Sequence, residues 1–105
     1  MPATRIIKIV EYYDFKELIK KYSGKIIVNP HAYFRLNEMQ RKVYKSDHLI
    51  YILSEEIPKL VGIQTNDRYA VFFSRKEGYL RIIFNLKPEN IEIITFYITN
   101  ILPKI

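Results

Sequence analysis

The sequence predicts an α+β domain of two layers, in which an N-terminal strand and two to three helices pack on a four-stranded antiparallel β-meander. Three observations lead there. From Arg68 to Ile98, three runs of β-branched and aromatic residues are separated by two turn-rich breaks, Arg75-Lys76-Glu77-Gly78 and Lys87-Pro88-Glu89-Asn90. Upstream, apolar residues recur at helical spacing between cap and stop residues. Hydrophobic residues make up 49% and charged residues 27%, as in a folded protein, and 105 residues suffice for one domain, 1–105, but not for two.

Taken in order, Arg5 to Tyr13 is β-rich and reads as a first strand. Asp14 is placed to cap a helix over Phe15 to Tyr22, with Glu17 at its third position and Tyr13 and Leu18 at the positions of a hydrophobic staple. Phe15, Leu18, Ile19 and Tyr22 form its apolar stripe, and Gly24 stops it. Lys25 to Val28 follows as a short extended piece. Asn29-Pro30 then opens a second helix, a cap followed by proline at the first helical position, along which Ala32, Leu36, Met39 and Val43 should pack inward. Lys45-Ser46-Asp47 marks the start of a third, His48 to Ile57, with Leu49, Ile50, Leu53 and Ile57 inward and Pro58 at its end. Leu60 to Gln64 is a further strand, joined to the meander through the turn Thr65-Asn66-Asp67.

Suppose both meander turns close symmetrically, so that Arg75 faces Gly78 and Leu86 faces Asn90. Alternation then places Val71, Phe73, Ile82, Phe84, Ile94 and Phe96 on a core face. The other face mixes Phe72, Ile83, Ile91 and Ile93 with Arg68, Arg81, Thr95, Tyr79 and Tyr97. In this register Arg81 lies opposite Thr95, with Tyr97 diagonal to it. An ordinary solvated sheet face has this composition too. A mid-strand arginine, however, needs either solvent or an anionic partner, so the second face is also a candidate binding surface.

Composition narrows the function classes. The formal net charge of +6 suits a polyanionic partner, such as nucleic acid or an acidic protein, though lysines also serve solubility alone. Cysteine is absent, which excludes disulfides and thiolate chemistry and makes the cytoplasm the default location. No apolar run approaches the length of a membrane span and no signal peptide is evident, so no membrane partner is expected. Abundant isoleucine and lysine suit a thermophile, or equally an AT-rich genome. With two histidines and no clustered ligands, neither metal nor cofactor is expected. There is no glycine-rich phosphate loop and no nucleophile–base arrangement. Catalysis, if any, falls to Arg, His, Tyr and Lys, which suit stabilising phosphoryl charge and shuttling a proton. On the second helix, His31, Arg35, Glu38 and Lys42 share a stripe, and His31 sits in the first turn, where free N–H groups favour an anion. Alternatively His31 is a surface residue and Arg35 pairs with Glu38.

The run His31-Ala32-Tyr33-Phe34-Arg35, followed by Val61-Gly62, Asn66-Asp67-Arg68-Tyr69, Gly78-Tyr79-Leu80-Arg81 and Ile94-Thr95-Phe96-Tyr97, resembles a group of small domains with a His-Ala-x-x-Arg helix ahead of a β-meander. These are similar in layout to RelE/ParE and BrnT toxins. Members often carry a second arginine four residues after the first; here that position is Met39, with Arg41 and Lys42 following. The resemblance implies a RelE-like core over 25–98, with 1–24 as a strand–helix extension. It further implies a toxin–antitoxin protein whose open sheet face takes RNA or ribosome-bound mRNA, the same surface accepting an acidic antitoxin. RelE-type enzymes cleave RNA without metal, whereas ParE relatives act on a gyrase. Carried over by position, Arg81 matches a strand arginine, Tyr97 the C-terminal aromatic, and Arg68 stands at the entry of the preceding strand.

Three functions are therefore in play. One is a metal-independent endoribonuclease, with Arg81 and Arg68 on the scissile phosphate, Tyr97 or His31 moving protons, and Arg35, Arg41, Lys42, Arg75 and Lys76 as nucleic-acid contacts. The second is a non-catalytic module for nucleic acid or an acidic protein. The third is a homodimer formed through a surface rich in the nine tyrosines.

Overall fold

The β-branched and aromatic runs form a sheet of six strands: β1 (Ile6–Ile9), β2 (Ile26–Val28), β3 (Leu60–Gln64), β4 (Tyr69–Arg75), β5 (Gly78–Leu86) and β6 (Ile91–Thr99), in the order β1-β3-β4-β5-β6-β2. The computed structural model describes residues 5–34 and 38–103, the side chains of Glu38 and Arg41 excepted. Strands β3 to β6 pair antiparallel in chain order. The expected sheet is two strands too narrow and of one sense only. β1 adds antiparallel to β3, and β2 adds parallel to β6, giving a mixed sheet. The short Lys25–Val28 piece becomes a strand because its backbone finds partners on β6: Ile91 N–H donates to Lys25 O at 2.9 Å and Asn29 N–H to Ile93 O at 2.8 Å.

Helix α1 (Tyr12–Lys21) starts three residues before the expected Phe15. Phe15 N–H already reaches Glu11 O at 3.0 Å, so Asp14 lies inside the first turn, where its charge favours the helix dipole, rather than at the cap. Tyr13 is 72% exposed and forms no staple. The expected second helix is realised as a 3-10 turn (Pro30–Tyr33), capped by Asn29 Oδ1 accepting from His31 N–H at 2.9 Å, followed by α2 (Glu38–Val43). Ala32 is buried as foreseen, Leu36 lies outside the described residues, and Met39 and Val43 face solvent. Tyr44, beyond α2, fills the core position instead, its ring 5.8 Å from Phe96. Helix α3 (Ser46–Glu55) buries Leu49, Ile52 and Leu53. Ile57, expected inward, is 74% exposed because the helix has ended at Glu55 and its periodicity no longer applies.

Helices α1 and α3 and the 3-10 turn cover one face of the sheet. Phe15, Ile19, Leu49, Ile52 and Leu53 meet Val71, Phe73, Leu80, Ile82, Phe84 and Phe96 in one apolar cluster. The β4–β5 hairpin has the expected register, Arg75 opposite Gly78 and Val71 opposite Ile82. Gly78 has φ +138°, and a Cβ there would run into the Thr99 carbonyl, so only glycine suits this turn. The β5–β6 hairpin departs from expectation. Leu86 pairs with Ile91 rather than Asn90, and a bulge between Ile83 and Phe84 leaves Ile94 without a partner. Ile91 and Ile93 therefore point into the core, and Glu92 and Ile94 do not. Beyond the bulge the phase is restored, with Thr95 opposite Ile83 and Tyr97 opposite Arg81 itself.

Phe84 is fully buried and stacks on Tyr69 at 4.9 Å between ring centroids. Truncation to alanine leaves a cavity between the layers and should cost about 3–5 kcal/mol, read from the midpoint of urea unfolding. A cost below about 1 kcal/mol would mean that this face is not the core.

Candidate anion-binding site

Among the described residues, no helix lies on the sheet's other face. Along it run two cross-strand rows, Leu60–Phe72–Arg81–Tyr97 and Gly62–Ala70–Ile83–Thr95. Phe72, Ala70 and Ile83 are nonetheless buried, with Ile6 and the partly buried Leu60, Tyr79, Tyr97 and Leu102 packed around them. Much of the cover over Phe72 is a cation. The Arg81 guanidinium carbon lies 5.2 Å from the Phe72 ring centroid and 5.6 Å from that of Tyr97.

Hydrogen bonds fix the guanidinium in this place. Arg81 Nη1 donates to Tyr97 Oη at 2.6 Å, and Nη2 donates to Gln64 Oε1 at 2.5 Å. Gln64 is 1% exposed and is itself held, its Nε2 donating to Asn66 Oδ1 at 3.1 Å. Asn66 is set by the β3–β4 turn: its Oδ1 also accepts the Arg68 N–H at 3.1 Å, and Asp67 takes the left-handed φ of 66° that closes the turn. Every described acceptor of Arg81 is neutral. No described carboxylate pairs with it, and its Nε is buried without an acceptor.

Beside Arg81 lies an open depression of about 320 Å³ lined by Gln64, Asn66, Arg68, Arg81, Ile83, Thr95 and Tyr97. Arg68 forms no side-chain hydrogen bond or ion pair within the described residues. Its charge is felt by Glu92. That carboxyl is held below the usual range first by the Lys87 ammonium at 2.8 Å and then by Asn29 Nδ2 at 3.0 Å, with the charges of Lys87 and Arg68 adding and partial burial opposing. Neither Glu92 nor Asp67 lines the depression. A half-buried guanidinium, a second arginine, a threonine hydroxyl and a phenol without a lining carboxylate make a site suited to a phosphate-like oxyanion.

Of the residues singled out from sequence, Arg81, Arg68 and Tyr97 come together here. His31 does not. It stands exposed on the 3-10 turn that packs against the core face, edge-on to Phe34 at 4.7 Å. Lys42 is exposed on α2 and Lys76 on the β4–β5 turn. Arg75 points to the helical side, where it grips Glu56 with two bonds of 2.9 and 3.1 Å. Arg35 lies outside the described residues, as does the side chain of Arg41. Sequence reasoning passed over Gln64, taken only as a strand end, and Asn66, taken only as a turn residue. A polar residue two positions from Gly62 on an otherwise apolar strand was the available signal.

Comparison with protein-family models, with curated proteins and with solved structures returned no match.

The Glu92 pairing gives a test by pH. Its folded pKa lies below the unfolded one, so its contribution to stability is complete above the ordinary carboxylate value of 4.5 and is lost as pH falls through the lower folded value. Glu92→Gln should therefore lower the urea midpoint at pH 7, by a margin that shrinks as the pH is taken below 4.5 toward about 3. A difference between the two proteins that is the same at both pH values would exclude the ionised pairing as its source.

Proposed function

We propose that this protein binds RNA as a polyanion across the open sheet face, with Arg81 and Arg68 holding a phosphate group in the depression between them. The observation that carries the reading is the state of Arg81: a part-buried cation, anchored only by neutral acceptors, with an unused N–H and a donor-lined opening beside it. Removing an arginine from water without a carboxylate is costly, and an incoming phosphate supplies the missing countercharge. The charge of +6 favours the encounter. The exposed Lys42 and Lys76 stand away from the depression and act at most as distant electrostatic contacts.

A second reading, a RelE-like endoribonuclease of the toxin–antitoxin type, is favoured by one contact, the 2.6 Å bond from Arg81 Nη1 to Tyr97 Oη. It joins the group that would stabilise the extra negative charge of the transition state to the one side chain of the depression able to exchange a proton. His31 has no part in this version. An acidic protein segment laid across the same face would compete with RNA in either reading.

Binding of a single-stranded RNA oligonucleotide should weaken by orders of magnitude between about 50 and 200 mM salt, as bound counterions are no longer released to advantage. Arg81→Ala should lose about 10- to 100-fold in affinity at fixed salt, measured where circular dichroism shows the variant folded. Losing the cover over Phe72 and the partner of Gln64 Oε1 should also cost about 1–3 kcal/mol of stability. Arg81→Lys should restore little affinity, since a point charge lacks the planar fork. Fluorescence anisotropy decides this; affinity indifferent to both salt and Arg81 excludes the site. If wild type also cleaves the RNA, Arg81→Ala should slow cleavage about 10²–10³-fold, the usual loss of one transition-state donor.

A further inference from the structure

Hydrogen-bond donors dominate the lining of the depression, and they come from four strands or their ends. Asn66 stands on the turn after β3, Arg68 at the entry to β4, Arg81 on β5, and Thr95 and Tyr97 on β6. Gln64 has its Oε1 on Arg81 and one N–H of its Nε2 on Asn66. Asn66 in turn has its oxygen taken by Gln64 and the Arg68 N–H, so the end left for a ligand is its Nδ2, two further donors. The Thr95 hydroxyl engages no described residue. Arg81 keeps one unused N–H on each Nη and its Nε. The lining therefore offers two full positive charges and at least two neutral donor groups, with no carboxylate among the described lining residues to oppose them.

We infer that the depression takes a terminal phosphate of an RNA strand, a monoester, in preference to an internal phosphodiester; this rests on the RNA-binding reading above. A diester carries one negative charge on two free oxygens. A monoester carries about −1.5 to −2 at neutral pH on three strong acceptor oxygens. The charge of two guanidinium groups and the number of donors match the second. Gln64 acts here as a positioning residue: buried and bonded at both ends, it sets the distance between the Asn66 amide and the Arg81 guanidinium, so that both address one phosphoryl group.

The test compares one short single-stranded RNA in three forms, with a 5′-phosphate, with a 3′-phosphate, and with hydroxyls at both ends, by anisotropy at about 0.1 M salt. At least one phosphorylated form should bind about 10-fold more tightly than the hydroxyl form, and which one tells the strand end that enters. That advantage should shrink below about pH 6, where the monoester takes up its second proton. Thr95→Val, which keeps the side chain's shape, should reduce the advantage about 2- to 10-fold, the value of one neutral hydrogen bond. Gln64→Ala should reduce it more, and if that variant proves unfolded the Thr95 result decides alone. Equal binding of all three RNAs, still dependent on salt and Arg81, overturns the terminal-phosphate assignment and leaves RNA binding standing. Binding of none overturns both, and capture of a phosphoserine peptide instead would move the same site to a protein partner.

Discussion

A sheet has two faces, and the described helices that build its core, α1 and α3, lie over one of them. The constraint this creates falls on Phe72, which points to the uncovered side and yet is fully buried. Burying such a ring stabilises the fold by about 1.5–3 kcal/mol, but only if something lies over it. The cover available is a guanidinium, two partly buried tyrosines and the side chain of Leu102. A cation over a ring face contributes about 0.5–2 kcal/mol. That is less than the cost of holding an arginine away from water without countercharge, which is why Gln64, Asn66 and Tyr97 are drawn into a chain of hydrogen bonds around it. The site is the remainder of this arrangement, a cation stabilised enough to stay in place and still short of a negative partner.

The contrast with Arg75 makes the point by another route. Both arginines lie on the central hairpin, one on each face of the sheet. Arg75 meets the end of α3 and forms a two-bond pair with Glu56, so its charge is answered within the fold. Arg81 points to the side where no described helix brings a carboxylate. The same residue type on neighbouring strands is thus a structural clasp in one case and, in the other, a cation with no carboxylate partner among the described residues. The difference follows from which face the helices cover.

How much of this was legible in the sequence depended on whether a local rule had a unique solution. The bounds of β3 agree with the sequence reading, and the symmetric closure supposed for the first meander turn, Arg75 opposite Gly78, is the one the chain adopts. The β5–β6 pairing could not be read in the same way. Ile91, Ile93 and Ile94 are the same residue type, so alternation alone cannot say which of them is the bulged one, and the bulge decides which pair faces the core. The helical stripe through Met39 and Val43 misled because α2 spans only six residues and Tyr44 takes the interior position. Of the site, Arg81, Tyr97 and Arg68 were visible as polar residues on the non-core face. Gln64 was not, since placing it beside Arg81 requires the register of the β3–β4 hairpin, and Thr65-Asn66-Asp67 does not fix that by composition.

The two edge strands come from neighbouring parts of the chain. β1 and β2 lie at opposite margins, five strand spacings or about 24 Å apart, and α1 crosses between them with about 15 Å of helix and a few flanking residues on each side. A chain growing on the ribosome therefore makes both margins first and can seat neither. The β1 edge must wait for the strand at 60–64, and the β2 edge for the residues around 91–93. Until then two apolar strands and an amphipathic helix are out without their sheet, tied into a single strap that closes only when the centre has been synthesised. Assembly of this fold therefore finishes only once β6 has left the exit tunnel, and the surface around Arg81, which needs Thr95 and Tyr97, is completed at the same point.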